Sequence, residues 1–172
     1  MDYKILRNLS YGMYAIGVKG AAGPSACIVN TVVQITNTVP AVVAVSMNHH
    51  NYSHECIAKH GIFTVSVLSE DTSGTVIGAL GFNSGRDINK LANIRHRVLL
   101  EGVPVIKENT CCWFLCKVVG SIETETHTLF LGEIIAGSEK SVGKPMTYSY
   151  YHEVIKGSSP KNAPTYQPQE TS

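Results

Sequence analysis

The sequence predicts a mainly β fold with a few short helices, its strands closed into a barrel. Three observations carry that expectation. Phe63 to Leu68 alternates strictly, the period of a half-buried strand. Ala41 to Met47 is a short apolar run directly after Pro40, as expected of a buried strand. Other strand-like segments follow at turn-length separations, and closing many short strands into a barrel removes their exposed edges.

Taken in order, residues 10–19 and 25–36 are rich in Val, Ile, Tyr and Thr and read as strands, with Gly20 to Pro24 turning between them. After the strand at 41–47, Tyr52 to His60 reads as a helix. Ser53 is its expected cap, Glu55 and Cys56 lie in its first turn, and Gly61 stops it. Following the strand at 63–68, residues 72–81 read as helical, although Gly74 and Gly78 weaken the pattern. Further strands are expected at 103–106, 111–121, 127–136 and 146–151. Beyond Lys156 the character changes. Pro160, Pro164 and Pro168 interrupt a stretch with no apolar periodicity, so an extended tail with a disordered end is expected. The division is therefore 1–157 for the barrel and 158–172 for a tail packing on it.

A chain of 172 residues is long enough for one domain with a real core. Only 16% of residues are charged, the net charge is +1 and no basic cluster stands out, which excludes nucleic-acid binding driven by bulk charge. Low charge beside 44% hydrophobic residues points to surface hidden in an oligomer. No apolar run approaches the roughly 20 residues of a membrane span. Met1 to Arg7 lacks the apolar stretch of a signal peptide, so a cytoplasmic location is expected. Cys27, Cys56, Cys111, Cys112 and Cys116 are odd in number and scattered, consistent with a reducing compartment. On a strand, Cys111 and Cys112 point to opposite faces, and all five read as small apolar groups.

Four stretches can carry chemistry. In Asn30-Thr31-Val32-Val33-Gln34, small polar residues interrupt a strand-like run. Either this is a strand with a solvated face, or its polar groups meet the edge of a flat polar ring. Ser46-Met47-Asn48-His49-His50-Asn51-Tyr52-Ser53 opens a helix. Its free N–H groups suit a phosphate, or Ser53 simply caps them. Ser84-Gly85-Arg86-Asp87 lets backbone approach an anion that Arg86 could grip bidentately, or it is a capped loop. It matches neither a dinucleotide glycine pattern nor a P-loop. His127 opens an alternating strand. His50 and His54 are four apart beside Glu55, yet there is no His-Glu-x-x-His and no paired cysteine spacing, so no metal is expected.

Ser84-Gly85-Arg86-Asp87 with Lys90, His127-Thr128-Leu129-Phe130-Leu131-Gly132, Tyr148 to His152, and Ala163-Pro164-Thr165-Tyr166 together resemble the flavin reductase-like family. That family includes flavoredoxin and the flavin domain of NADH:rubredoxin oxidoreductases. The resemblance implies a Greek-key split β-barrel that binds FMN, a homodimer with the flavin near its interface, and a tail packed near Tyr166. It implies Asn30, Thr31, Val32 and Gln34 at the isoalloxazine ring. It places Ser46, Met47, Asn48, Asn51, Tyr52, Ser53, Ser84, Gly85 and Arg86 along the ribityl chain and phosphate, and His127 as the catalytic candidate at the reactive face. Two departures stand out: Tyr52 occupies the place of a usual threonine, and Glu125-Thr126 precedes His127 where relatives carry Gly-Asp. The implied activity passes hydride from NADH or NADPH to FMN and electrons on to rubredoxin, free flavin or a ferric complex. Two other readings stay open: an FMN-binding electron carrier without its own NAD(P)H site, and a non-catalytic split barrel that binds another ligand.

Overall fold

A computed structural model describes residues 3–166. Nine strands and three α-helices follow in order: β1 (Tyr14–Gly20), β2 (Gly23–Val29), β3 (Val32–Gln34), β4 (Val42–Asn48), α1 (Tyr52–His60), β5 (Ile62–Leu68), α2 (Gly74–Gly81), β6 (His96–Val98), β7 (Pro104–Ile106), β8 (Thr110–Glu123), β9 (His127–Gly137) and α3 (Tyr148–Glu153). Seven strands form one antiparallel sheet in the order β2-β1-β5-β8-β9-β4-β3, and β6 and β7 form a separate pair.

That order dictates the shape. β2 and β3 lie at opposite edges of the sheet, yet only Asn30 and Thr31 separate them in the chain. The three Cα–Cα steps from Val29 to Val32 span at most about 11 Å, so the sheet must curl until its edges nearly meet. The barrel is split along that seam. Alternation fills it: Ile16 and Val18 from β1, Val43, Val45 and Met47 from β4, and Phe63 and Val65 from β5 share one buried cluster. A second cluster joins Met13, Leu68 and Ile106 to α2 and to Tyr151 of α3.

Several expectations need correction. The single strand at 25–36 is broken at Asn30–Thr31, because the chain there leaves one edge for the other. The expected strand at 146–151 is instead α3. Thr147 caps it by accepting from the Tyr150 N–H, and Tyr148 and Tyr151, three apart, turn toward the second core. The first strand begins at Tyr14 rather than residue 10, and the short β6 had no sequence signal. At α1 the N-cap is Asn51, not Ser53; Ser53 sits inside the first turn and is buried. Gly61, in the left-handed conformation at φ 64°, ends that helix as expected. The tail is extended only to Pro160; it then turns over residues 161–165, with the Ala163 N–H on the Pro160 carbonyl and the Tyr166 N–H on the Ala163 carbonyl, and lines the cavity as far as Tyr166. The expected disorder at its end concerns residues 167–172, outside the described residues.

Candidate functional site

A cavity of about 600 Å³ opens between the seam, α1, α2, the loop after α2 and the tail, within the size range of cofactor pockets. One wall is apolar: Ile28 and Val29 from β2, and Ile77, Leu80 and Phe82 from α2 and its end. The facing wall is polar. β4 alternates, so Val43, Val45 and Met47 enter the core while Ser46 and Asn48 reach the cavity.

The N-terminus of α1 faces the cavity, with Asn51, Tyr52 and Ser53 on its wall. Asn51 caps α1 by position, but its side chain makes no capping bond. It accepts instead from Asn162 Nδ2 of the tail at 3.1 Å. The His54 N–H donates to the Asn51 carbonyl at 3.0 Å, which leaves the Tyr52 and Ser53 N–H groups for another acceptor. Beside them Ser53 and Lys90 also line the cavity. Lys90 is only 6% exposed as a residue, and among the described residues its ammonium, which lines the cavity, forms no ion pair. Burial pushes its pKa down, and the nearby Cys27 pushes it back up. A buried cation without a partner is costly, and it makes this end of the cavity a place for negative charge. Gly85 completes the cradle. A Cβ there would strike the Ser25 hydroxyl and approach Tyr52 Cδ1 to 2.8 Å, so only glycine lets the loop lie this close.

The tail forms the remaining wall. Tyr151 OH donates to the Ser158 carbonyl at 3.2 Å. Asn30 Nδ2 donates to Thr165 Oγ1 at 2.7 Å, and that hydroxyl donates to Tyr148 OH at 2.8 Å. Tyr148 OH also bonds Ser159. Residues 158–164 and Tyr166 then face the cavity, held at Asn30, Asn51 and α3.

The sequence-expected residues divide accordingly. The structure brings Asn30, Ser46, Asn48, Asn51, Tyr52, Ser53, Ser84 and Gly85 to the cavity wall. Thr31, Val32, Gln34, Met47, Arg86 and His127 are not on it. The Met47 side chain is fully buried in the core, and the Gln34 amide turns back to the Thr36 carbonyl at 2.7 Å. Arg86 is occupied elsewhere: it pairs with Glu55 at 2.7 Å, donates to the His50 carbonyl at 3.3 Å and lies 5.3 Å over the Tyr52 ring. Tyr52 itself accepts the Ala21 N–H at 2.8 Å, tying the β1–β2 hairpin to α1. The structure adds Lys90, Cys27, Tyr148 and Tyr151, to which sequence reasoning gave no site role. Lys90 was visible only as the last member of the Ser84-Gly85-Arg86-Asp87 motif.

His127 stands at the start of β9, opposite Asn48. Its Nδ1 pairs with Thr126 Oγ1 at 2.8 Å, while its Nε2 is buried without a partner. Burial lowers its pKa, the Asn162 backbone raises it, and nearby His49 lowers it again. His49 Nε2 approaches Glu123 Oε2 at 3.2 Å without hydrogen-bond alignment, and His54 Nε2 meets Thr128 Oγ1 at 2.6 Å. Among the described residues no group of three or more His, Cys, Asp or Glu converges as a metal site. All five cysteines are free, and burial pushes the Cys116 thiol up to about 12.

The sequence profile of the family described as "Flavin reductase like domain" matches residues 6–158. The chain belongs to that family. This flavin reductase-like chain is 37% identical over 166 residues to the high molecular weight rubredoxin of Moorella thermoacetica, covering 96% of this chain and 72% of that one. It is 31% identical over 166 residues to a protein of Archaeoglobus fulgidus named ferric-chelate reductase (NAD(P)H), covering 96% and 98%. Among solved structures it resembles flavoredoxin from Methanosarcina acetivorans, with a TM-score of 0.67 and 26% identity over 79% of this chain and 74% of that one. The split barrel of this flavin reductase-like chain is thus shared with a flavin protein of known structure. Among its described residues no helix is long and apolar enough to cross a membrane.

Proposed function

We propose that the chain is an FMN-dependent oxidoreductase that passes electrons from NAD(P)H to a small acceptor. The observation that carries this reading is the cavity, with its apolar wall for a flat ring and, at its anion-binding end, the largely buried Lys90 beside a helix terminus whose N-cap side chain makes no capping bond. When bound, FMN supplies the redox chemistry, accepting hydride and releasing electrons. The residues present fit it. Lys90 and the first N–H groups of α1 hold the phosphate, with Ser53, Ser84 and Gly85 around it. Asn30, Ser46 and Asn48 offer hydrogen bonds from the seam and β4. Leu80, Phe82 and Tyr148 shield the ring from water. His127, whose Nε2 is buried off the cavity wall, does not reach the ring in this arrangement.

The acceptor follows from the relatives' names: one is called a rubredoxin and another a ferric-chelate reductase. Both acceptors are compatible with this reading, free flavin being a third. Anaerobic mixing of the FMN-loaded protein with NADH and then NADPH tests it. Loss of the flavin's visible absorbance, restored by rubredoxin or a ferric chelate, is the expected result. Absorbance that persists with both nucleotides would favour a carrier reduced by a partner protein, the reading suggested by the flavoredoxin likeness.

The same reading includes a homodimer. Val33, Ala44, Leu131 and Gly120 form one cross-strand row, and Ser46, Leu129 and Ile122 the next. Val33 is 52% exposed and Ile122 55%, while Ala44 between them is buried, so β3, β9 and β8 present apolar positions on this face, with Leu129 and Leu131 half-buried, beside Ser46 of the cavity. Exposed apolar surface of this kind marks an interface, and a second copy there would cover the cavity's mouth. Ile122→Asp is expected to convert a dimer into a monomer in light scattering. A wild-type chain already monomeric at micromolar concentration would remove the dimer from the reading.

A further inference from the structure

The tail crosses the cavity at one chemically telling place. A turn closed by the Ala163 N–H on the Pro160 carbonyl at 3.0 Å presents Asn162, whose amide donates to Asn51 Oδ1 at 3.1 Å. Asn51 is the N-cap of α1, so this bond lies across the helix terminus where negative charge is favoured. Lys161 and Ala163, on either side of Asn162, line the same cavity. Lys90, 94% buried by its 6% exposure and unpartnered among the described residues, lines it as well.

We propose that the Asn162–Asn51 bridge makes the site selective for a flavin ending in a phosphomonoester, and that it rejects flavins whose phosphate is esterified further, such as a dinucleotide. The inference rests on the flavin reading of the cavity. A terminal phosphate has three oxygens free for the α1 N–H groups, Ser53 and Lys90. A diester must send its fourth substituent out of the cavity. At this end the bridge ties the tail to the cap of α1, with Lys161 and Ala163 lining the cavity on either side of Asn162, so a group leaving past Asn51 must break the bond and displace the turn. Charge acts in the same direction. A monoester carries about −1.5 to −2 at pH 7, a diester only one negative charge, and the single buried ammonium favours the former.

Binding of FMN, FAD and riboflavin to the cofactor-free protein, followed by quenching of flavin fluorescence, tests this without any turnover. Wild type is expected to bind FMN at least about tenfold more tightly than FAD, as one displaced polar contact would give. In Asn162→Gly the FMN-to-FAD ratio should fall to within about threefold, through a gain in FAD affinity. Riboflavin, which has no phosphate, should bind the variant and wild type alike, which also verifies that the variant folds. Equal FMN and FAD affinity in wild type, or a ratio unmoved in Asn162→Gly, overturns the selectivity. A wild-type chain that binds none of the three overturns instead the flavin reading beneath it.

Discussion

Lys90→Met is expected to weaken FMN binding by roughly 10- to 150-fold, the worth of about 1.5–3 kcal/mol for a charged hydrogen bond, while leaving the cofactor-free protein as stable as wild type or more so. The two effects have one cause. Lys90 is 6% exposed as a residue and forms no ion pair among the described residues, so the empty protein carries a partly desolvated ammonium that a methionine of similar length would replace with apolar contacts. The phosphate repays that cost only when bound. Burial depresses the Lys90 pKa in the folded chain. The unfolded chain therefore holds more protons in the window between that depressed value and the ordinary lysine value, and stability of the empty wild type should rise with pH through it. Lys90→Met should lack the rise. FMN affinity has the opposite slope: a bound phosphate raises the Lys90 pKa again, so affinity should fall as pH climbs above the depressed value, in wild type only. Thermal midpoints and FMN titrations across neutral to alkaline pH check all of this. A Lys90→Met protein that binds FMN within twofold of wild type would rule out the phosphate role.

The largest expected loss of stability comes from Gly17→Ala. Gly17 lies on β1 opposite Thr64 of β5, where β7 passes across both. A Cβ at Gly17 would collide with the Pro104 carbonyl oxygen and the Thr64 hydroxyl, with the Pro104 carbonyl carbon only 3.0 Å away. The Thr64 hydroxyl also donates to the Pro104 carbonyl, a bond that seals β7 onto the barrel. Overpacking costs about 1–3 kcal/mol, and a buried donor left unsatisfied another 1–3 kcal/mol or so. Together they amount to roughly 2–6 kcal/mol, a drop of about 4–24 °C in midpoint for a chain of this size. Gly78→Ala is the contrasting control. It lies within α2 with nothing within 4 Å of a new Cβ, and should be neutral or stabilising by up to about 1 kcal/mol. If Gly17→Ala melts within a degree or two of wild type, β7 does not pack as described.

What the sequence made legible followed from local pattern. β4 and β5 declared themselves by apolar run and alternation, and α1 by its length and the Gly61 stop. What it hid depended on distant partners. Nothing local marks Asn30–Thr31 as a break between strands; it becomes one because β8 and β9 insert between β5 and β4 and carry β2 and β3 to opposite edges. Tyr148, Tyr150 and Tyr151 favour strands by composition, and the Thr147 cap with the spacing of Tyr148 and Tyr151 overrides it. The site divides the same way. Ser46, Asn48 and Ser53 reach the cavity through strand and helix periodicity. Arg86 looked like the phosphate-binding cation, but Glu55 and the Tyr52 face engage it. Lys90, a charged residue between Asn89 and Leu91, gave no sign that folding would bury it beside Cys27.

The strand order also governs how the protein must be made. As the chain leaves the ribosome, β4 emerges early, but its principal partner, β9, lies beyond residue 126. β5 likewise waits for β8. At the usual pace of about 5–20 residues per second, the nascent N-terminal half would spend on the order of ten seconds with Val43, Val45, Phe63 and Val65 uncovered. Such edges are templates for wrong pairing. Production of this barrel should thus depend on a chaperone that shelters β4 and β5, more strongly at high expression and higher temperature, until the β8–β9 hairpin arrives.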